Sequence, residues 1–286
     1  MSDYRFAVNK PDRVLINHNT VRPAELKAVY ESLTDDRPVQ DILSDFAQEK
    51  EGNIQECINF LHAIDLLERS REDRAVSPLN RDILPDLAFE PRLLYHLRQQ
   101  RYPKDHLTRI QNVALETDDR SVTLNVLLPQ VKGELDQYDF AWNNTKLRMW
   151  LALSTQLGLV SETETRGVIL SPCRRLLYDL LELYEQQRDD TDLYSALTWI
   201  ENFFNVFETT TGSPRVHPAV SDVLQNMESE GVLEFRGMSD AKSEVTLPES
   251  VHTQRSRSVS VYELEPMPES PAYQYPLSQF EQVIIQ

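Results

Sequence analysis

The feature that most constrains this chain's fold is a pattern written three times: an amphipathic helix, a residue able to take positive φ, a short apolar strand, a polar turn and a returning apolar strand. The first 80 residues carry it most clearly. Leu26, Val29, Tyr30 and Leu33 fall at i, i+3, i+4 and i+7, the spacing of one helical stripe. Pro23 stands near the start, where a missing N–H costs nothing. Val39, Ile42, Leu43 and Phe46 repeat the spacing behind Pro38, and Ile54, Cys57, Ile58 and Leu61 make a third stripe. Asn53-Ile54-Gln55-Glu56 introduces that stripe in the form of an N-cap with an acid three residues on. The linkers 34–37 and 49–52 are short, so a compact right-angled three-helix bundle is expected.

The continuation is similar in each copy. Leu61-His62-Ala63-Ile64-Asp65-Leu66-Leu67-Glu68 runs into polar 69–74 and returns as Ala75-Val76-Ser77-Pro78. Leu153 to Ser161 runs into polar 162–166 and returns as Gly167-Val168-Ile169-Leu170-Ser171-Pro172. Leu224 to Glu234 runs into a turn over 237–243 and returns as Glu244-Val245-Thr246-Leu247-Pro248. Asp65, Gly158 and Gly231 stand where a helix must stop in the left-handed region, and the flanking apolar pairs predict hairpins. Helix then hairpin, three times over, is an internal repeat of architecture.

This pattern resembles the winged-helix (winged helix-turn-helix) superfamily, in which the third helix is followed by a two-stranded wing. The Leu157-Gly158-Leu159-Val160 and Gly231-Val232-Leu233 steps carry the likeness most strongly. The fold expected is mainly α with small β-hairpin wings (α+β), as two to three tandem winged-helix modules. Module 1 covers 1–80. Module 2 covers 81–174, with an inserted helix and an apolar strand over Val122–Leu128. Module 3 covers 175–250 and includes a helical pair, and a proline-containing C-terminal tail covers 251–286. Within that pair, Leu176, Leu177, Leu180, Leu183 and Tyr184 form one stripe. Leu193, Tyr194, Leu197, Ile200, Phe203, Phe204 and Phe207 form a wider one, with Trp199 off its centre. So broad an aromatic face predicts core, with a homodimer interface as the alternative. In the tail, 257–264 alternates like a strand before Pro266, Pro268, Pro271 and Pro276.

Charge bears on function. Asp and Glu number 46 against 29 Lys and Arg, a formal net charge of −17, and the basic residues are seven Lys against 22 Arg. Acid-rich and Lys-poor composition is that of a protein adapted to molar salt, where carboxylate surfaces hold water. At ~1 M salt, screening shortens to about 3 Å, so net acidity does not repel DNA at a distance and local chemistry decides. Counterion release then supplies little affinity.

In winged-helix proteins that bind DNA, the third helix enters the major groove and basic wing residues meet phosphate; the resemblance therefore says where to look. Module 1 is expected to expose Asn53, Gln55, Glu56, Asn59 and His62, beside a wing with Arg69, Arg71 and Arg74. Module 2 offers the better surface. Asn143, Asn144, Thr145 and Lys146 open its third helix, Arg148 lies beside the buried stripe Leu147, Trp150 and Leu151, Arg166 is in the wing, and Arg174 and Arg175 follow. An Asn- and Lys-rich helix N-terminus suits phosphate or base edges. Module 3 exposes Ser221, Asp222, Gln225 and Glu228, an acidic face read as contacting protein. A local basic patch, Arg92, Arg98, Arg101, Lys104 and Arg109 interleaved with Tyr95 and Tyr102, can hold a phosphate backbone or pair with the chain's own carboxylates.

Catalytic and cofactor signatures are missing. The seven glycines are single, with no G-x-G-x-x-G or P-loop; the six histidines never fall at metal-ligand spacing; no G-x-S-x-G occurs. Pro11-Asp12 followed by Glu25-Leu26-Lys27 has the lettering of a metal-dependent nuclease, but that chemistry needs adjacent strands and Lys27 lies on a helix. Cys57 and Cys173 lie on buried positions and are read as inert. Neither a membrane span nor a signal peptide is evident. The expected protein is cytoplasmic and non-enzymatic, without cofactor or metal. It acts as a DNA-associated regulator or adaptor that touches DNA through module 2 and protein through module 3 and the tail. The alternative is a structural subunit of a DNA-processing or defence complex that does not itself bind DNA, and a nuclease ranks third.

Overall fold

The computed structural model describes residues 23–33, 35–46, 51–70, 75–79, 87–138, 141–163, 167–204, 216–237, 243–250 and 255–267. The chain divides into two compact units, residues 1–110 with 128–153, and 111–127 with 154–286. It is a mixed α+β protein of helices and small antiparallel sheets.

The first unit begins with α1 (Pro23–Glu31), β1 (Arg37–Pro38), α2 (Val39–Asp45), α3 (Glu51–Ala63), β2 (Leu67–Arg69) and β3 (Ala75–Pro78). The stripes expected of α1 and α3 are buried throughout, whereas in α2 Val39 and Ile42 are buried and Leu43 and Phe46 only half so. Strand β3 lies between β1 and β2, with Arg37 opposite Val76 and Leu67 opposite Pro78. Helix α4 (Phe89–Gln99) follows. The unit also takes in residues of α5 (His106–Leu115), α6 (Leu124–Glu134) and α7 (Asn144–Gln156).

The second unit holds β4 (Ser121–Thr123), β5 (Ser161–Glu162), β6 (Gly167–Ile169), α8 (Arg174–Arg188), α9 (Leu193–Phe204), α10 (Pro218–Ser229), β7 (Leu233–Arg236), β8 (Val245–Leu247), β9 (Arg257–Val259) and β10 (Val261–Leu264). Along the chain, α5, β4, α6, α7, β5 and β6 repeat the order of the first six elements, and β6 lies between β4 and β5 as β3 does between β1 and β2. The stretch read as an insertion into module 2 therefore supplies the first three elements of a second copy. Its apolar run is not one strand. Only 121–123 pair, and Leu127, Val131 and Leu135 are buried at helical spacing from α6 onward, an ambiguity inherent in short apolar runs.

The third copy corrects the sequence expectation of a hairpin over 232–248. β7 does not pair with β8; it pairs with β10, Leu233 opposite Leu264, while β8 pairs with β9. On its other side β10 meets the segment between α8 and α9. Asp192 bridges Val261, Leu193 N–H donates to Ser260 O at 2.9 Å, and Tyr262 N–H donates to Thr191 O at 3.1 Å. The order is again first segment, last strand, second strand. Residues 261–264 thus close this sheet, and the connection from β7 to β10 includes β8 and β9.

All three third helices end alike. Asp65, Gly158 and Gly231 have φ of 62°, 73° and 72°. Their N–H groups donate to His62, Thr155 and Glu228 carbonyls, and the next residues, Leu66, Leu159 and Val232, donate to Leu61, Ser154 and Met227 at 2.8–2.9 Å. These paired 5→2 and 6→1 bonds form the Schellman motif, which ends each helix before its strand. In α8 and α9, Tyr184 packs on Trp199 and Trp199 on Phe203 and Phe204, with ring centroids 5.4–5.7 Å apart. Trp199, placed off-centre by the sequence pattern, is therefore core, whereas Phe207 lies outside the described residues.

Candidate nucleic-acid interface

Helix α7 starts because Asn143 Oδ1 accepts the Lys146 backbone N–H at 3.0 Å, an N-cap of the kind that contributes about 1 kcal/mol. Leu147, Met149, Trp150, Leu151 and Leu153 are buried, and Asn144, Thr145, Arg148 and Ala152 are exposed. The exposed residues 144, 148 and 152 fall on one i, i+4 face. No Asp or Glu occurs between positions 140 and 161, so this face stands out in a chain with 46 acids.

The entry to the helix is fixed by a buried cluster in the same unit that the sequence did not reveal. Trp142 Nε1 donates to Leu135 O at 2.8 Å, and Tyr138 Oη donates to Asp105 Oδ1 at 2.6 Å. Asp105 Oδ2 accepts from Arg109 Nε at 3.1 Å. The rings of His106, Tyr138 and Trp142 meet edge to face, their centroids 5.9–6.3 Å apart. Burial first, and then the Asp105 carboxylate, push the Tyr138 phenol up, so it stays a donor. The four-residue spacing of Tyr138 and Trp142 was the available signal.

The remaining expected contacts are dispersed. Lys146 Nζ donates to Ala141 O at 3.0 Å, and Arg166 lies outside the described residues. Arg174 is ion-paired with Glu230, and Arg175 Nε lies 2.8 Å from Asp179 Oδ1. The 92–109 patch is not one surface either. Arg92 is buried and donates to Leu87 O, Lys104 Nζ donates to Ala63 O at 2.7 Å, and Arg109 holds Asp105. Lys104, with His96 Nδ1 and Gln100 Nε2 donating to Ile64 O at 3.1 and 3.2 Å, closes the carbonyl end of α3, where cations and donors are favoured. Arg98 is half-buried, Arg101 exposed.

The other two third helices are less exposed than the sequence predicts. Asn59 is 3% exposed and accepts from Gln55, and His62 Nδ1 donates to Leu67 O at 2.9 Å; Asn53, Gln55 and Glu56 are half-buried. Arg69 is half-buried, and Arg71 and Arg74 lie outside the described residues. In α10, Ser221 and Gln225 are buried and donate to Pro248 O, each at 2.9 Å. Asp222 takes Arg120, and Glu228 takes Arg257. His217 caps this helix, accepting from Ala219 N–H on Nδ1 and donating from Nε2 to Thr117 O at 2.7 Å.

The nuclease lettering also has a structural use. Glu25-Leu26-Lys27 lies on α1, and Lys27 Nζ sits 2.7 Å from buried Glu90, while Asp12 lies outside the described residues. Among the described residues no group of three or more His, Cys, Asp or Glu could hold a metal ion. Nor is any helix among them long and apolar enough to cross a membrane. Cys57 is fully buried, which pushes its thiol far up, and Cys173 Sγ caps α8 by accepting Leu176 N–H. A cleft of about 540 Å³ in the second unit is lined by Asp118, Arg120, Pro218, Pro248, Glu249, Ser250 and Ser256, and Arg120 there is committed to Asp222 and Glu249 O. The chain matches no family model, no curated protein and no solved structure.

Proposed function

We propose that this is a non-enzymatic, cytoplasmic, DNA-associated regulator or adaptor built from tandem winged-helix modules, and that α7 is the helix that enters the major groove. The order helix–strand–helix–helix–strand–strand, with the last strand central in the sheet, supports the modular reading. One observation carries the assignment to α7. Of the three third helices, it is the one whose Asn, Thr and Arg side chains at the N-terminal end are exposed and whose sequence surroundings hold no acid. Asn144 and Arg148, one turn apart, suit adenine and guanine edges or the flanking phosphates. Protein contacts are assigned to module 3 (175–250) and the C-terminal tail (251–286). They are not assigned to Ser221 and Gln225, which are buried, or to Asp222, which is paired with Arg120.

The test is polarisation of a labelled duplex at matched molar KCl. The wild type binds, and Arg148→Glu weakens binding by at least ~10-fold, the scale of a lost bidentate contact plus a reversed charge. Burial of Asn59 in α3 and of Ser221 and Gln225 in α10 favours a second reading, a structural subunit of a larger DNA-processing or defence complex. Failure of the wild type to bind any duplex or single strand would select it.

A further inference from the structure

Tyr102 is 58% exposed, the largest exposure among the described large apolar side chains. It is not loose. Its Oη donates to Gln137 O at 3.0 Å, and its ring packs on Tyr138 with centroids 5.4 Å apart. Tyr138 is itself held by Asp105 and lies 5.9 Å from Trp142, centroid to centroid. Trp142 immediately precedes Asn143, the cap of α7. Two ring contacts within one unit therefore carry Tyr102 to the start of the helix proposed to meet DNA. An exposed ring fixed at both its edge and its hydroxyl loses little freedom when something stacks on it.

The surrounding charge selects the partner. Between Glu90 and Asp105 the chain has no acid, Arg101 beside the tyrosine is exposed, and Arg98 one turn earlier is half-exposed. Among the described residues, the exposed acids nearest the tether in sequence are Glu134 and Asp136, beside Gln137, and the exposed cation adjoining the ring is Arg101. An aromatic face with a guanidinium beside it is the combination that holds an unpaired base and its phosphate. A base inside a duplex presents no face for stacking, whereas the first unpaired base at a duplex end does.

We infer that Tyr102, with Arg101, is a stacking platform for the first unpaired base of a single-stranded overhang whose duplex lies on α7. This rests on the assignment of α7 for the position of the duplex, and it names a ligand that assignment does not: a junction between double- and single-stranded DNA. The experiment uses the full chain and one duplex in three forms, blunt, with a 5′ overhang and with a 3′ overhang. 2-Aminopurine occupies the first unpaired position. The wild type binds one overhang form about 5- to 100-fold more tightly than the blunt form, the range for one stacked base, and quenches the 2-aminopurine. Tyr102→Ala abolishes the preference and the quenching, and Tyr102→Phe keeps most of both. Equal wild-type affinity for blunt and overhang forms, or a preference that survives Tyr102→Ala, overturns the platform while leaving α7 standing. If instead the preference depends on Tyr102 but Arg148→Glu weakens nothing, the platform stands and the α7 assignment fails. Absence of binding to all three overturns both.

Discussion

Arg120 and Asp222, 102 residues apart in sequence, meet side to side: Nε lies 2.5 Å from Oδ2, and Nη2 lies 3.3 Å from Oδ1. Arg120 Nη2 also donates to Glu249 O, so one guanidinium ties the approach to β4, helix α10 and the segment after β8 together. The pair uses the carboxylate that the sequence seemed to offer to a partner. Asp222→Ala removes the second partner of a half-exposed Arg and is expected to cost ~1–2 kcal/mol, between a surface and a buried pair. A double-mutant cycle with Arg120→Ala, read by urea denaturation, should show coupling; additive losses would mean that the two do not act together.

Lys27 and Glu90 supply a second test, and one that separates structure from chemistry. Glu90 is almost wholly buried and Lys27 keeps 37% of its side chain in water. Lys27→Met leaves the carboxylate without its cation at a cost of about 2 kcal/mol, the low side of a broken buried pair because one partner is hydrated. Lys27→Met/Glu90→Leu should recover most of that. A Lys27→Met protein with unaltered stability would contradict the pairing.

Much of this fold was legible because its signals are local. Stripes at 26–33 and 54–61, and the three positive-φ positions, follow from side-chain size and backbone sterics within a dozen residues. The strands that start each sheet are missed in the sequence or, at 122–128, read too long. Arg37–Pro38, Ser121–Thr123 and the single bridge at Asp192 are too short to show a period. The returning strand of the third sheet was misplaced. Val245-Thr246-Leu247-Pro248 follows its polar turn as the first two copies do, and although 257–264 alternates like a strand in the sequence, only the pairing with β7 and Asp192 shows that 261–264 is the returning strand. The sequence leaves the basic patch open between phosphate binding and pairing with the chain's own carboxylates for a different reason. Composition records that Arg92, Lys104 and Arg109 are cations, not that each is used by a carbonyl or carboxylate of the chain itself.

The shared helix ending makes predictions of opposite sign. Gly231 has open space where a Cβ would stand, so Gly231→Ala meets only the left-handed backbone and is expected to cost ~1 kcal/mol. Asp65 holds the same conformation with a side chain, and Asp65→Gly should stabilise by a few tenths to ~1 kcal/mol. Thermal melts of the two variants check both signs. If both substitutions destabilise equally, the three endings are not equivalent.

His96 links the α3–α4 contact to pH. Burial, and to a lesser degree Arg92, hold its imidazole below the ordinary 6.5, although the Ile64 carbonyl and Asp65 pull the other way. The unfolded chain therefore takes up a proton that the folded one refuses. The stability this group confers is present above its unfolded value and is lost as pH falls below about 6.5. Urea denaturation at pH 7.5 and pH 5.5, wild type against His96→Gln, should show a smaller acid loss in the variant. An identical loss in both proteins would remove His96 from the account.

The central claim is that α7, and neither α3 nor α10, faces the DNA. A photo-crosslinking residue placed in turn at Arg148, Asn59 and Gln225, irradiated with labelled duplex at molar KCl, measures this directly. The account predicts a protein–DNA adduct from position 148 and none from positions 59 and 225. An adduct from 59 or 225, or duplex binding with no adduct from 148, would contradict it.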